Sequence, residues 1–127
     1  MAKRETISGP EIPEHYKRFP TAVKVGNMVF SSNVGGEDSV THEVPGDIEQ
    51  QIKNAFQNVR SILARAGGTV GDIGKFQVAL KSMDDRSLMN KEWIAMFPDE
   101  NDRPVRHTVA EDLSGGRLIA IEFIAVL

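Results

Sequence analysis

The stretch Leu118-Ile119-Ala120-Ile121-Glu122-Phe123-Ile124-Ala125-Val126-Leu127 decides how this chain folds. Nine of its ten residues are apolar, and they are rich in the β-branched and aromatic types that strands favour. Side chains alternate across a strand. Leu118, Ala120, Ile124 and Val126 therefore fall on one face, and Ile119, Ile121, Phe123 and Ala125 on the other. A strand that is apolar on both faces needs cover on both sides. Glu122 interrupts this pattern. A buried carboxylate without a partner is costly. Glu122 therefore has a structural ion pair or a rim position, or it faces a wet cleft where it can orient or deprotonate water.

Working back along the chain, Ser114-Gly115-Gly116 reads as a turn and Val105 to Val109 as a strand. A short turn would pair that strand with the last one. This makes Arg106 the natural partner of Glu122, although a count across the turn leaves the register open. Arg106 reads either as an ordinary ion-paired arginine or as a bidentate clamp for a substrate carboxylate. Further back, Leu88, Met89, Trp93, Met96 and Phe97 follow Asp84-Asp85 with helical spacing, and Pro98 ends the run. The methionines and Trp93 read as core. Phe76, Val78 and Leu80 alternate with Lys75, Gln77 and Ala79 as another strand.

The strongest helix signal begins at Asp47, with Gln50 at the capping-box position. Ile48, Ile52, Ala55, Val59, Ile62, Leu63 and Ala66 make one apolar face, and Gly67-Gly68 stops the helix. Gln51, Asn54, Asn58 and Arg65 read as its polar face. Ala22 to Val25 and Met28 to Ser32 read as a hairpin around Gly26-Asn27. Residues 1–20, with Pro10, Pro13 and Pro20, read as an irregular lead-in. The expected order is β-β-α-β-α-β-β in one α+β domain spanning 1–127, with a mixed sheet and both helices on one face. Two helices cover only one face of such a sheet. The other face then calls for a partner subunit, so the chain is expected to form a homo-oligomer.

Composition narrows the chemistry. There are no cysteines, which excludes a disulfide framework, a thiolate metal site and a cysteine nucleophile, and is what a reducing, cytoplasmic compartment permits. The formal net charge of -3 with mixed signs gives no nucleic-acid footprint. No segment approaches the roughly 18 apolar residues of a membrane span, and the start of the chain does not read as a signal peptide. His15, His42 and His107 lack metal-ligand spacing. Gly74-Lys75-Phe76 is no phosphate loop, and Ser31-Ser32 is no nucleophile elbow.

Four blocks together resemble the Rid family (YjgF/YER057c/UK114). They are Thr21 to Asn33 (TAVKVGNMVFSSN); Asp47 to Gln51 with Asn58 to Gly67; Val78 to Leu80 with Met83-Asp84 and Asn90 to Phe97; and Arg103 to Arg106 with Ile121 to Ala125. The resemblance implies a chorismate-mutase-like fold packed as a homotrimer, with sites between subunits and no metal or organic cofactor. It implies an enamine/imine deaminase that hydrolyses small reactive 2-imino or enamine carboxylates to keto acids and ammonia. On this basis Arg106 binds the substrate carboxylate and Glu122 stands near the attacking water. Ser31 and Asn90 line the pocket, and Thr108 falls where many members have a cysteine. The sequence departs from the family at Phe19, where the phenol of a tyrosine is missing, at Ser32, which replaces a glycine, and at His107. A trimer that binds a small carboxylate without turning it over, or acts as a chaperone-like regulator, is the second reading. Loss of the phenol at Phe19 suits it. An endoribonuclease is the third, and the acidic charge balance argues against it.

Overall fold

The computed structural model describes residues 3–14 and 18–127. His15 lies outside the described residues. The elements run β1 (Arg4–Ile7), β2 (Ala22–Val25), β3 (Met28–Ser31), β4 (Val34–Gly35), α1 (Ile48–Ala66), β5 (Ile73–Leu80), α2 (Arg86–Met96), β6 (Val105–Ala110) and β7 (Ile119–Val126). They form the expected α+β architecture, with a mixed sheet in the order β1-β2-β3-β7-β5-β6 and β4 paired to β7. Two strands go beyond the sequence reading. β1 lies inside the supposed irregular lead-in and pairs antiparallel with β2 at the edge of the sheet. Only Ile7 of its four residues is buried, so it carries no alternating signal. β4 is two residues long, too short for any periodicity.

The position of β6 corrects a larger expectation. It does not pair with β7 across the Ser114-Gly115-Gly116 turn. It pairs in parallel with β5, with Phe76 opposite Arg106 and Gln77 opposite His107. The crossover through α2 sets this parallel pairing, and β5 then pairs antiparallel with β7. β5 therefore separates the strand of Arg106 from the strand of Glu122.

α1 begins where Asp47 Oδ2 accepts the Gln50 N–H at 3.1 Å. Its end is set by Gly67 at φ 86°, a left-handed conformation that favours glycine, and the Gly68 N–H closes back on Leu63 O at 2.8 Å. Its apolar face packs on the sheet with α2 beside it. Phe56, Phe76, Trp93 and Phe97 form a tilted aromatic cluster with ring centroids 4.7–5.8 Å apart. Ile119, Ile121, Phe123 and Ala125 of β7 enter the same core. Each large side chain fully buried there contributes about 1.5–3 kcal/mol.

The supposed polar face of α1 is partly interior. Gln51 and Asn58 are buried. Gln51 Nε2 donates to Pro45 O (2.7 Å) and Gly116 O (3.1 Å), while its Oε1 accepts the Leu118 N–H (2.8 Å). Asn58 Nδ2 donates to Gly35 O and Glu37 O, both at 3.0 Å. These two side chains fasten the loops on either side of the sheet's core to α1. Gly36 lies so close that a Cβ there would sit 2.3 Å from Gln51 O.

Among the described residues no helix covers the opposite face of the sheet. Val105 is 69% exposed and Val126 49%, with Ile124, Phe30 and Met28 half-buried beside them. No helix of the described residues is long and apolar enough to cross a membrane.

Candidate functional site

The expected site residues separate into two groups on opposite faces of the sheet. Arg106 shares a face with its register partner Phe76, which is in the core, so its side chain lies on the helix side. There α2 receives it. Arg106 Nη1 donates to Asn90 Oδ1 at 2.8 Å and approaches Met89 Sδ at 3.9 Å. The guanidinium carbon stands 4.9 Å from the Trp93 ring centroid, within cation–π range. Asn90 and Trp93 sit three residues apart on α2, which puts both on one helix face. Trp93 is core, as expected, and also the platform for this arginine.

No acidic residue among the described ones forms an ion pair with Arg106. Burial lowers its pKa from the usual arginine value, and the positive charges of Arg86 and Arg103 lower it further. Like charges crowd it and no carboxylate compensates. That arrangement suits a guanidinium that receives an anion from outside. Thr108 lies two residues along the same face of β6, and its Oγ1 is buried without a hydrogen-bond partner among the described residues.

Glu122 lies on the uncovered face, opposite Gln77 of β5, and is exposed. It does not contact Arg106. The two strands are not neighbours, and the two side chains leave the sheet in opposite directions. The reading of Arg106 as its partner is therefore corrected for a single chain. Glu122 instead borders two hollows. The larger, about 420 Å³, is a groove walled by Phe19, Ser32, Asn33, Leu113, Arg117 and Glu122. The smaller, about 200 Å³, lies between Ser31, Lys75, Gln77 and Glu122.

The serines divide their work. Ser31 Oγ accepts the Phe123 N–H at 2.8 Å, bridging a gap between β3 and β7. Ser32 Oγ donates to Thr21 O at 3.1 Å, and its own N–H bonds the same oxygen at 2.8 Å. Phe19 is exposed at the groove. His107 is exposed on the open face, in one row with Gln77 and Glu122 across β6, β5 and β7. At the usual strand spacing that places it about 10 Å from Glu122.

Sequence reasoning missed Arg117 and Glu37. Arg117 Nε donates to Glu37 Oε1 at 3.1 Å, and the Glu37 side chain is buried. The pair spans 80 positions, so no local pattern announces it. The only local hint is a cation closing a glycine turn in front of an apolar strand.

Comparisons with known proteins show the family and the fold. Residues 10–127 match the family model described as endoribonuclease L-PSP. The chain is 33% identical over 97 residues to a 2-iminobutanoate/2-iminopropanoate deaminase of Escherichia coli, covering 76% of each chain. Its fold superimposes on RidA from an Antarctic Psychrobacter with a TM-score of 0.90 at 31% identity, covering 97% of this chain and 99% of the other. It also superimposes on Escherichia coli TdcF with bound serine, with a TM-score of 0.88 at 29% identity, covering 97% and 98%.

Proposed function

This chain belongs to the Rid family (YjgF/YER057c/UK114), the endoribonuclease L-PSP group, and from that membership we propose that it is an enamine/imine deaminase whose sites form between subunits of a homotrimer. Arg106 carries the proposal. It is a guanidinium oriented by Asn90 and Trp93, near two other arginines, and without an acidic partner among the described residues. A small substrate carboxylate supplies that partner. Deaminase activity in a relative 33% identical to this chain supports the reaction class, and serine bound to TdcF supports a small amino-acid-like ligand.

The two groups of residues lie on opposite faces of one sheet, and this favours an intersubunit site. The open face, with exposed Val105 and Val126, offers the surface on which copies pack. In such an assembly Arg106 and Asn90 of one subunit face the Glu122 groove of the next. Arg106 binds the carboxylate and holds the imine carbon at the groove. Glu122 accepts a proton from a water as that water attacks the C=N carbon. The resulting carbinolamine takes that proton from Glu122 on its nitrogen. The C–N bond then breaks as the hydroxyl gives its own proton back to the Glu122 carboxylate and its oxygen becomes the keto oxygen. The products are a keto acid and ammonia.

The test supplies 2-iminopropanoate, generated in situ by an amino-acid oxidase, and follows ammonia and keto acid. Acceleration is expected, with kcat/KM falling about 10- to 150-fold in Arg106→Ala, the range of losing hydrogen bonds to a charged group. No acceleration, or full activity in Arg106→Ala, rejects the proposal. A carboxylate-binding trimer without turnover is the second reading, and the groove gives it one support. Phe19 has no hydroxyl and Ser32 Oγ is engaged with Thr21 O, which leaves Glu122 to handle protons on that wall. Thermal stabilisation by pyruvate without turnover would select it.

A further inference from the structure

We propose that Arg117 reads the far end of the substrate, receiving a second carboxylate, so that 2-imino dicarboxylates are the preferred substrates. This rests on the deaminase reading above for the identity of the reacting group. The binding preference stands on its own geometry.

Arg117 lies in the same groove as Glu122, its side chain 22% exposed. Only its Nε has a partner among the described residues, at Glu37. The fork formed by its two Nη groups is uncommitted, and that edge of a guanidinium matches a carboxylate in bidentate fashion.

The protein spends several buried polar side chains on holding this one arginine. Gln51 binds both peptide groups that flank it, Gly116 O on one side and the Leu118 N–H on the other. Glu37 holds its Nε, and Asn58 holds the backbone of Glu37. Glycine at position 35 makes the approach possible, because a Cβ there would meet Glu37 Oε1 at 2.2 Å and Arg117 Nε at 3.0 Å. A buried ion pair is a poor stabiliser compared with packed apolar residues, since both charges must first be desolvated. Stability alone therefore does not account for Glu37 and Arg117. Holding a donor fork in place at the groove wall does, because a preorganised donor loses less freedom on binding. Glu37, Gln51 and Asn58 are positioning residues and Arg117 is the binding residue.

The contrast with Glu122 completes the argument. In one chain the groove holds a carboxylate and, beside it, a guanidinium not paired to that carboxylate. A substrate with an alkyl tail leaves the Arg117 fork facing an apolar group. A substrate with a terminal carboxylate satisfies it. The carboxylate beside the imine goes to Arg106, the imine carbon to Glu122, and the terminal carboxylate to Arg117.

Two measurements test this. In the first, calorimetry compares 2-oxoglutarate with 2-oxobutanoate, stable keto acids with and without the second carboxylate. The wild type is expected to bind 2-oxoglutarate at least tenfold more tightly. In the double variant Glu37→Gln/Arg117→Met, which leaves no charge buried alone, that ratio collapses toward one. Arg117→Lys, which keeps the charge, restores part of it. In the second, the ratio of kcat/KM for 2-iminoglutarate over 2-iminobutanoate follows the same order across the three proteins. Equal binding of the two keto acids, or a ratio that the double variant leaves unchanged, overturns the proposal. Turnover of both imines without preference overturns it while leaving the deaminase reading intact. A calorimetric preference that depends on Arg117, with no turnover of either imine, does the reverse.

Discussion

Alternate residues of β7 live in two different environments. Ile119, Ile121, Phe123 and Ala125 are exposed by no more than 2% beneath the helices. On the other face Ala120 is buried in a small cluster with Ala79 and Leu113, but Glu122 and Val126 are exposed and Ile124 is half-buried. One face is finished within a single chain and the other is not. The covered face holds the fold together and fixes Arg106 against α2. The open face carries Glu122 and the groove, where little packing depends on which side chain is present. The tightest packing thus falls on one side of β7 and the proposed proton-accepting residue on the other, and point changes should separate them.

The largest separation is expected at Phe123. Phe123→Ala removes a buried ring from the core and leaves a cavity, which costs about 3–5 kcal/mol. Val126→Ala, three residues away on the open face, should change the stability of the single chain by about 0.5 kcal/mol or less. Urea unfolding of both variants at a protein concentration low enough to keep the chain monomeric gives the comparison. Equal losses would mean that the open face is packed in ways a single chain does not explain.

The covered half of this division was readable in the sequence because β7 is apolar at every position but Glu122 and α1 repeats its apolar residues every three to four positions. Both signals are local. What the sequence withheld was not local. The parity that sends Arg106 to the helix side and Glu122 to the open side depends on β5 lying between β6 and β7. The turn at Ser114-Gly115-Gly116 suggests a hairpin, whereas the crossover through α2 decides the pairing. β1 escaped because Arg4-Glu5-Thr6-Ile7 places a single residue in the core. Gln51 and Asn58 look like solvent-facing helix residues, and only the return of two loops onto α1 buries them. Glu37 and Arg117 meet across 80 positions. The groove was legible in parts, at Glu122, Phe19 and Ser32, and its cation, Arg117, was not.

The next effect in size concerns those polar fasteners. Gln51→Ala leaves the Leu118 N–H and Gly116 O without their partner and is expected to cost about 1–3 kcal/mol. Gln57→Ala, on the exposed side of the same helix, should cost a few tenths, about the difference of a surface pair. If both cost the same in chemical unfolding, the buried contacts of Gln51 add nothing and the rigidity assigned to Arg117 loses its basis.

Arg106 tests the comparison from the covered side. Its pKa is pushed down in the folded chain by burial, then by Arg86 and Arg103. A cation whose folded pKa lies below its unfolded value is disfavoured by folding, so its charge costs stability at every pH where the unfolded chain keeps it protonated. Arg106→Met is therefore expected to change the melting temperature little, relief of that cost offsetting the lost contacts with Asn90 and Trp93. Added pyruvate should raise the wild-type melting temperature and leave that of the variant where it is. A variant that melts well below the wild type, or one that pyruvate still stabilises, would move Arg106 from the ligand to the scaffold.

The smallest stability effect is expected at the one charged residue of β7. Glu122 sits amid apolar neighbours along β7, yet the face on which it stands is uncovered and its carboxylate is exposed. Its strand neighbour on that face is Gln77, a neutral residue, and no described cation forms an ion pair with it. Replacing it by glutamine therefore breaks no pair, creates no cavity and leaves β7's ladder untouched. Surface changes of this kind shift stability by about 0.5 kcal/mol or less. The proton-accepting oxygen, however, disappears. In the deaminase reading kcat should fall by about 100-fold or more, the usual scale of a lost general base, while KM, set by Arg106, moves little. Stopped-flow or coupled kinetics on Glu122→Gln beside its unfolding curve reads both quantities. If stability drops by several kcal/mol, Glu122 is part of the scaffold after all. If kcat is unchanged, the open face contributes surface rather than chemistry.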